Sequence, residues 1–248
     1  MSELASWPVA RATVRERGLA PLTLVIAAVL LLLGMVRGAA DQWGAEAFSG
    51  FSGVWFFLLT LLLGAGLLSE EVESGHAQLV LLRPLTRAQW LGGRFLGAAF
   101  VLCAGGAVGW AASLVAALLR GATDEIGGRL LILPLALLPA LGWLAALTAI
   151  GAVARGWTNA GILVAARLGW FFLRLSLPFA LPRWGLAPWL EAIDHYFGPQ
   201  EALALARQVH YHERLMPSTA LWDLLFIAAA WLIAVRLFNL RELARRRA

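Results

Sequence analysis

Residues 20–36 read APLTLVIAAVLLLLGMV, an apolar run without a single charged side chain. An α-helix rises about 1.5 Å per residue, so about 20 such residues cross about 30 Å of hydrocarbon. Strand-like alternation is absent, and helices satisfy their own backbone hydrogen bonds in lipid. We predict an all-α polytopic membrane protein, in which residues 1–248 form a single transmembrane domain of six helices. The predicted spans are Ala20–Val36, Phe51–Leu68, Phe95–Leu119, Leu130–Val153, Thr158–Ala180 and Thr219–Phe238.

The composition supports a membrane location. Of the 248 residues, 60% are hydrophobic and 14% are charged, and the mean hydropathy is +0.76. A soluble domain of this size cannot bury so much apolar surface in one core. The net charge of +5 and the pI of about 10.8 raise the alternative of a nucleic-acid partner. All 20 basic residues are arginines, and their distribution argues against that alternative.

The arginines predict the orientation in the membrane. Arg167 and Arg174 lie within span five. Of the other 18, six fall in one set of loops and twelve in the termini, the other loops and the inner end of span six, where Arg236 lies. The smaller set is Arg37, Arg120, Arg129, Arg183, Arg207 and Arg214. Under the positive-inside rule, the richer side is cytoplasmic. We therefore expect a multi-pass protein of a bacterial cytoplasmic (inner) membrane with both termini in the cytoplasm. Membrane lipid, without nucleic acid, then accounts for the basic character.

Two segments outside the spans have helical patterns. Residues 4–19 alternate apolar and arginine positions, which is typical of an amphipathic interface helix lying on the inner membrane surface. Residues 181–218 are predicted to lie outside the cell. Pro188 and Pro199 can each begin a helix there, so we expect short outer helices between spans five and six.

The loop between spans two and three, residues 69–94, contains the most informative local pattern. It reads EEVESGHAQLVLLRPLTRAQW from Glu70 to Trp90. Acidic residues come first, a glycine and a short apolar run follow, and Thr86 can cap the helix that enters span three. This pattern predicts a short cytoplasmic helix lying across the membrane face. An ordinary polar connector with arginine anchors is the alternative.

The same loop resembles the coupling region of the permeases of type-2 ABC exporters. In that family the loop has an acidic stretch, a Gly-Thr pair, an apolar run and a Pro-Ser/Thr-Arg turn. The matching segments here are Glu70–Glu73, Gly75-His76, Leu79–Leu82 and Pro84–Arg87, with His76 in place of the usual threonine. The six spans, the cytoplasmic termini, the amphipathic N-terminal segment and the long outer segment extend the resemblance over nearly the whole chain.

The resemblance implies the transmembrane permease subunit of an ATP-driven exporter. Such a subunit pairs with a second permease copy or a paralogue and sits on a nucleotide-binding dimer of ABC ATPase subunits. ATP and magnesium would be bound by those partners and no cofactor by this chain, which has no lysine and therefore no phosphate-binding loop. The implied ATPase-coupling residues are Glu70, Glu71, Glu73, Gly75, His76, Arg83, Pro84, Thr86 and Arg87.

Apart from Arg236 at the inner end of span six, three charged residues lie inside predicted spans, where each costs about 2.5–3.5 kcal/mol at the bilayer centre. Counted from Trp157, Arg167 is about 15 Å deep in span five and Arg174 about 25 Å. Asp223 lies just inside the outer end of span six, level with Arg174, so we predict an ion pair between these two residues. For Arg167 we expect a protein-lined site, and contact with the substrate is one hypothesis for its role.

The histidines of the outer segment are weak candidates for metal ligands. His195, His210 and His212 all fall there, and imidazole binds zinc and copper. Thiolates, a methionine cluster and regular ligand spacing are missing from this segment. Ordinary surface histidines are therefore the favoured interpretation, and we assign no metal site.

Other functional classes are weighed by the residues they require. The sequence has no His-Glu-x-x-His and no Gly-x-Ser-x-Gly motif, so we predict no enzymatic activity. An ion-coupled secondary transporter is the main alternative, although we find no convincing repeat between residues 20–119 and 130–238. A non-transporting membrane scaffold is the third. The substrate is not specified by any motif, and an amphiphile is preferred because the predicted spans carry few charges.

Overall fold

The computed structural model describes residues 6–39, 56–68, 85–121, 126–154, 156–180, 189–190, 193 and 217–245. These residues form helices and contain no strand, which confirms the all-α prediction. The helices are α1 Trp7–Gly18, α2 Pro21–Ala39, α3 over residues 56–64, α4 Arg87–Leu119, α5 Ile126–Gly151, α6 Thr158–Ala180 and α7 Pro217–Arg245.

Three segments of the described chain are long and apolar enough to cross a membrane: Arg87–Leu119, Thr158–Leu177 and Leu221–Leu240. A fourth candidate is the pair formed by α1 and Pro21–Leu33, which bend by 73° where they meet. The shorter apolar helix Leu137–Gly151 lies within the fourth predicted span, and α3 lies within the second. The membrane character of the chain is thus supported by three to four helices.

The observed bounds agree closely with the predicted spans in some places and differ in others. Helix α6 coincides at both ends with the predicted span Thr158–Ala180. Helix α4 begins at Arg87 rather than at Phe95, because Thr86 caps it within the predicted loop. Between residues 181 and 216, only 189–190 and 193 are described, and they are helical. The rest of the predicted outer helices lies outside the described residues.

Helix α4 lies at the centre of the described bundle. It packs against α1, α2 and α5, and α5 in turn packs against α7 and, less extensively, α6. One apolar core, which includes Leu63, Leu102 and Leu144, joins α3, α4 and α5. A second core lies where α4 begins and α7 approaches its end. There the rings of Trp90 and Phe238 stack with centroids 5.4 Å apart.

Asn159, near the start of α6, joins three elements through its buried amide. Its Nδ2 donates to the backbone carbonyl of Gly64 at 2.8 Å and to that of Leu147 at 3.3 Å. Its Oδ1 accepts from the backbone N–H of Gly66 at 3.4 Å. Gly66 has a φ of 65°, a conformation that glycine adopts without strain. This one side chain therefore fixes the end of α3 relative to α5 and α6.

Replacing Asn159 by leucine should lower the thermal unfolding midpoint in detergent. The substitution removes the donor from two buried carbonyls, at a cost of about 1–3 kcal/mol. The matched control is Asn239→Leu, at the only other asparagine of the chain, which is half-buried on α7. If both variants shift the midpoint equally, the bonds of Asn159 add no particular stability.

Candidate functional site

Helix α1 is docked directly on the first turns of α4. A Cβ atom added to Gly93 would lie 2.7 Å from the backbone oxygen of Ser6, and one added to Gly97 would lie 2.6 Å from that of Ala10. These contacts are too close for any side chain, so the two glycines create the groove that receives α1. Small residues four positions apart allow the same close approach between membrane helices.

Arg94 lies between these two glycines and holds α1 through its side chain. Its Nη1 donates to the hydroxyl of Thr13 at 3.1 Å and to Oε2 of Glu16 at 2.7 Å. Arg94 is 4% exposed and Thr13 is completely buried, whereas the side chain of Glu16 is half exposed. A buried guanidinium is stabilised by such charge-assisted hydrogen bonds. The ion pair therefore ties α1 to α4 at a fixed register.

Two further contacts from α1 reach the chain on either side of residues 69–84. Arg17 donates from Nη1 to the backbone carbonyl of Ala65 at 3.2 Å, just beyond α3. The backbone N–H of Ser6 donates to the carbonyl of Gln89 at 2.9 Å, in the first turn of α4. We call this assembly, made of Ser6, Thr13, Glu16, Arg17 and Arg94, the α1 clamp. It holds together the two points at which the predicted coupling loop leaves and re-enters the bundle.

Thr86 ends that loop by capping α4, as the sequence predicts. Its hydroxyl accepts from the backbone N–H of Gln89 at 3.2 Å, and Oε1 of Gln89 accepts from the N–H of Thr86 at 2.9 Å. This reciprocal pair is a capping box. Arg87 follows as the first residue of α4. The other predicted coupling residues, Glu70, Glu71, Glu73, Gly75, His76, Arg83 and Pro84, lie outside the described residues.

The predicted intramembrane charges occupy different environments. Arg167 is half-buried, with its Cζ 4.6 Å from the ring centroid of Trp143 and 5.5 Å from that of Phe57. Arg174, two turns further along α6, is exposed at the protein surface, while Asp223 on α7 is completely buried. The ion pair between Arg174 and Asp223 stays a prediction.

The described residues contain no cluster of three or more histidine, cysteine or acidic side chains able to hold a metal ion. The three weak candidates, His195, His210 and His212, lie outside those residues. For the histidines of the outer segment, we therefore keep the interpretation from the sequence, which assigns no metal site.

Sequence reasoning missed the clamp. It counted Arg94 with the cytoplasmic arginines and assigned residues 4–19 no partner in the bundle; the structure buries Arg94 beneath α1. One signal was available in the sequence. Gly93 and Gly97 are four residues apart, and Gly92 and Gly93 directly precede this arginine. That spacing marks a helix contact without naming the partner helix. Asn159 carried no comparable signal.

No protein-family model matches the sequence, and no curated protein matches it.

Gly97→Leu should release α1 from α4, because the new side chain would overlap the backbone of Ala10. In a Cys103→Ser background, the reporter is Ala10→Cys, at a position that is 3% exposed. We expect a water-soluble maleimide to label the reporter at least about tenfold faster when Gly97 is leucine, because burial limits access.

Gly161→Leu is the matched control, because a Cβ added there would have no atom of the described residues within 4 Å, apart from its chain neighbours and the adjacent backbone of its own helix. The docking geometry would be contradicted if Gly97→Leu left the labelling rate at the level of this control.

Proposed function

We propose that this chain is the transmembrane permease subunit of a type-2 ABC exporter. In this proposal it has six spans and acts with a second permease subunit on a dimer of separate ATPases. The observation that carries the proposal is the acidic, Gly-His and Pro-Leu-Thr-Arg pattern of residues 70–87, together with the α1 clamp, which contacts the described chain on both sides of residues 69–84. A loop that receives force from a partner needs a base that transmits the force without yielding.

The clamp supplies such a base. Residues 65–68 are buried before the loop, and residues 90–94 are buried after it. The contacts of Arg17 and Arg94 join the two ends to the same helix. A partner that displaced the loop would have to move α1 and the start of α4 together, or break the ion pair between Arg94 and Glu16. Since α4 packs against α2 and α5, the displacement would reach the centre of the bundle.

The free face of α1 suits the inner membrane surface. Trp7 is 74% exposed, and Arg11 and Arg15 are exposed on the same helix, whereas Ala10 and Thr13 are buried against α4. Tryptophan favours the membrane–water interface, and arginine is attracted to the anionic head groups of the cytoplasmic leaflet. We infer that α1 lies at that surface while it is docked on α4, which places the clamp at the cytoplasmic end of the bundle.

ATP binding in the partner dimer would bring the two ATPases together and push on the loops of both permease subunits. The resulting movement of α4 would alternate the access of the bundle between the two sides of the membrane. This chain contributes docking and transmission, and the partner contributes the hydrolysis of ATP.

The proposed topology places Ser74 inside the cell and Gln208 outside. In a Cys103→Ser background, a membrane-impermeant maleimide applied to intact cells should label Gln208→Cys and leave Ser74→Cys unlabelled until the cells are permeabilised. The reason is the twofold excess of arginines on the proposed cytoplasmic side. The reverse pattern of labelling would invert the topology and remove the loop from any cytoplasmic ATPase.

Reversing the charges of Glu71 and Glu73 should uncouple the permease from its ATPase. The double variant Glu71→Lys/Glu73→Lys would place two cations where the partner meets two carboxylates. A partner surface that pairs with these carboxylates would be basic, so the new lysines would face like charges. Like charges across an interface weaken binding strongly, so we expect at least about tenfold less ATPase to co-purify. The partners to co-express are the candidate ABC ATPase subunits encoded in the source genome, and the second readout is ATPase activity of the complex.

The control for charge is Asp41→Lys/Glu46→Lys, the same reversal in the proposed outer loop between the first two spans. If neither pair alters association or ATPase activity, the loop is a plain connector. A secondary transporter or a scaffold would then explain the chain better than a permease.

A further inference from the structure

The side of α1 that faces away from α4 is basic. Arg11 and Arg15 are both exposed, and residues four positions apart lie on the same side of a helix. The docked side carries Ala10, which is 3% exposed, and Thr13, which is completely buried. Within the described part of the chain, neither of these two arginines has a hydrogen bond or an ion pair.

The single acidic residue of α1 serves the other side of the helix. Oε2 of Glu16 accepts from Nη1 of Arg94 at 2.7 Å, and its Oε1 lies 3.8 Å from Nε of Arg17. Helix α1 contains three arginines and this one glutamate. The charges of Arg11 and Arg15 are therefore not balanced within the helix, and its exposed side stays positive.

A surface hollow of about 960 Å³ lies against this basic side. Among the described residues it is lined by two adjacent rows of α1, in which positions recur every four residues: Trp7, Arg11 and Arg15, and beside them Pro8, Ala12 and Glu16. Pro8 and Ala12 are short, so the lining is lower there than at the long side chains of the first row. A small charged group in the hollow would lie next to both arginines.

A further arginine lies at the same end of the bundle. Val9 of α1 packs against the apolar core that contains the stacked rings of Trp90 and Phe238. Arg236, two residues before Phe238 on α7, is exposed. The fold therefore brings a basic position of α7 to the end of the bundle at which α1 is docked.

The bend after α1 relates its basic side to the membrane. The apolar segment Pro21–Leu33 follows α1 at an angle of 73°. If Pro21–Leu33 crosses the bilayer, a helix bent by this angle runs close to the membrane plane. Trp7 is 74% exposed, and tryptophan favours the level of the lipid head groups. The molecule with the best access to the hollow is then a phospholipid of the same bilayer.

The chemistry of the hollow selects among phospholipids. Guanidinium groups pair with phosphate oxygens through two parallel N–H···O bonds. A zwitterionic phospholipid also offers a phosphate, but it carries a cation beside that phosphate. Two unbalanced arginines on an amphipathic helix therefore favour a head group with a net negative charge.

We propose that α1 binds an anionic phospholipid of the surrounding bilayer, with the lipid phosphate held by Arg11 and Arg15 beside Trp7. The inference rests on the proposed function for the position of α1 at the inner membrane surface, and it adds the lipid class and the residues that select it. Because Arg94 and the two glycines of α4 fix α1 on the bundle, the lipid is held by a helix of defined position.

The test uses the full chain, purified in dodecyl maltoside without any ATPase. Equal amounts of phosphatidylglycerol and phosphatidylcholine with the same acyl chains are added, and native mass spectrometry counts the molecules of each lipid that stay bound to the protein. One arginine near an anionic lipid surface strengthens binding by about fivefold. We expect the wild type to retain at least about fivefold more phosphatidylglycerol than phosphatidylcholine.

Four variants locate the site. Arg11→Gln and Arg15→Gln should each lower the lipid ratio at least about twofold, and the double variant should lose most of the preference. Arg11→Lys/Arg15→Lys should keep part of it, because lysine retains the charge and loses the planar fork. Arg174→Gln is the matched control, the same change at an exposed arginine of α6, and should keep the wild-type ratio. Thermal midpoints show that each variant is folded.

The proposal is overturned if the double glutamine variant keeps the wild-type ratio, or if Arg174→Gln lowers the ratio as much as Arg11→Gln does. It is also overturned if excess glycerol 1-phosphate displaces phosphatidylglycerol, because the hollow would then take a soluble phosphate. An unchanged lipid ratio combined with loss of a co-purifying ATPase would identify a protein contact instead.

Failure of this proposal and failure of the proposed function are distinguishable. Lipid binding is measured without an ATPase, so a negative result leaves the coupling experiment untouched. Conversely, reversed labelling of Ser74→Cys and Gln208→Cys would remove the proposed function without changing the lipid ratio measured in detergent.

Discussion

The close contact between α1 and α4 is the constraint on which this end of the bundle depends. Gly93 and Gly97 let the backbone of α1 approach to a distance that no side chain would permit. Arg94, between them, is then buried and must be neutralised, and α1 brings Glu16 and Thr13 to do so. Packing and charge therefore specify the same register. A helix that slid by one turn would lose the groove and the ion pair together.

This contact determines the geometry on both sides of the loop of residues 69–84. The helix that neutralises Arg94 also carries Arg17, which bonds the carbonyl of Ala65 beyond α3. The end of α3 is fixed a second time from the opposite side by Asn159 of α6. The entry to the loop is thus held by a charged side chain from α1 and by a neutral amide from α6. The exit is held by the capping box of Thr86 and by Arg94. Rigid ends of this kind suit the coupling role that we propose for the loop.

Local patterns made some of these features predictable from the sequence, and tertiary contacts hid the others. The bounds of α6 follow from an apolar run that is flanked by polar residues, and the cap at Thr86 follows from residue type and position. Hydropathy also predicted the three to four helices that are long and apolar enough to cross a membrane, because lipid imposes one requirement on every span. In contrast, the partner of α1 could not be predicted, since an amphipathic pattern shows that one face is buried without showing what buries it. Asn159 was missed because its acceptors, the carbonyls of Gly64 and Leu147, belong to distant segments whose approach only the fold specifies.

Two arginines of the bundle, Arg94 and Arg167, are held by different kinds of contact. Arg94 is enclosed, and the oxygens of Thr13 and Glu16 accept from its Nη1, so its place is determined by the chain itself. Arg167 is half-buried, and its Cζ lies over the rings of Trp143 and Phe57. An aromatic face stabilises the charge without imposing the directional pairing that an oxygen acceptor imposes. The oxygen acceptors around Arg94 therefore fix the register of α1 on α4, whereas the ring contacts of Arg167 join α6 to α3 and α5.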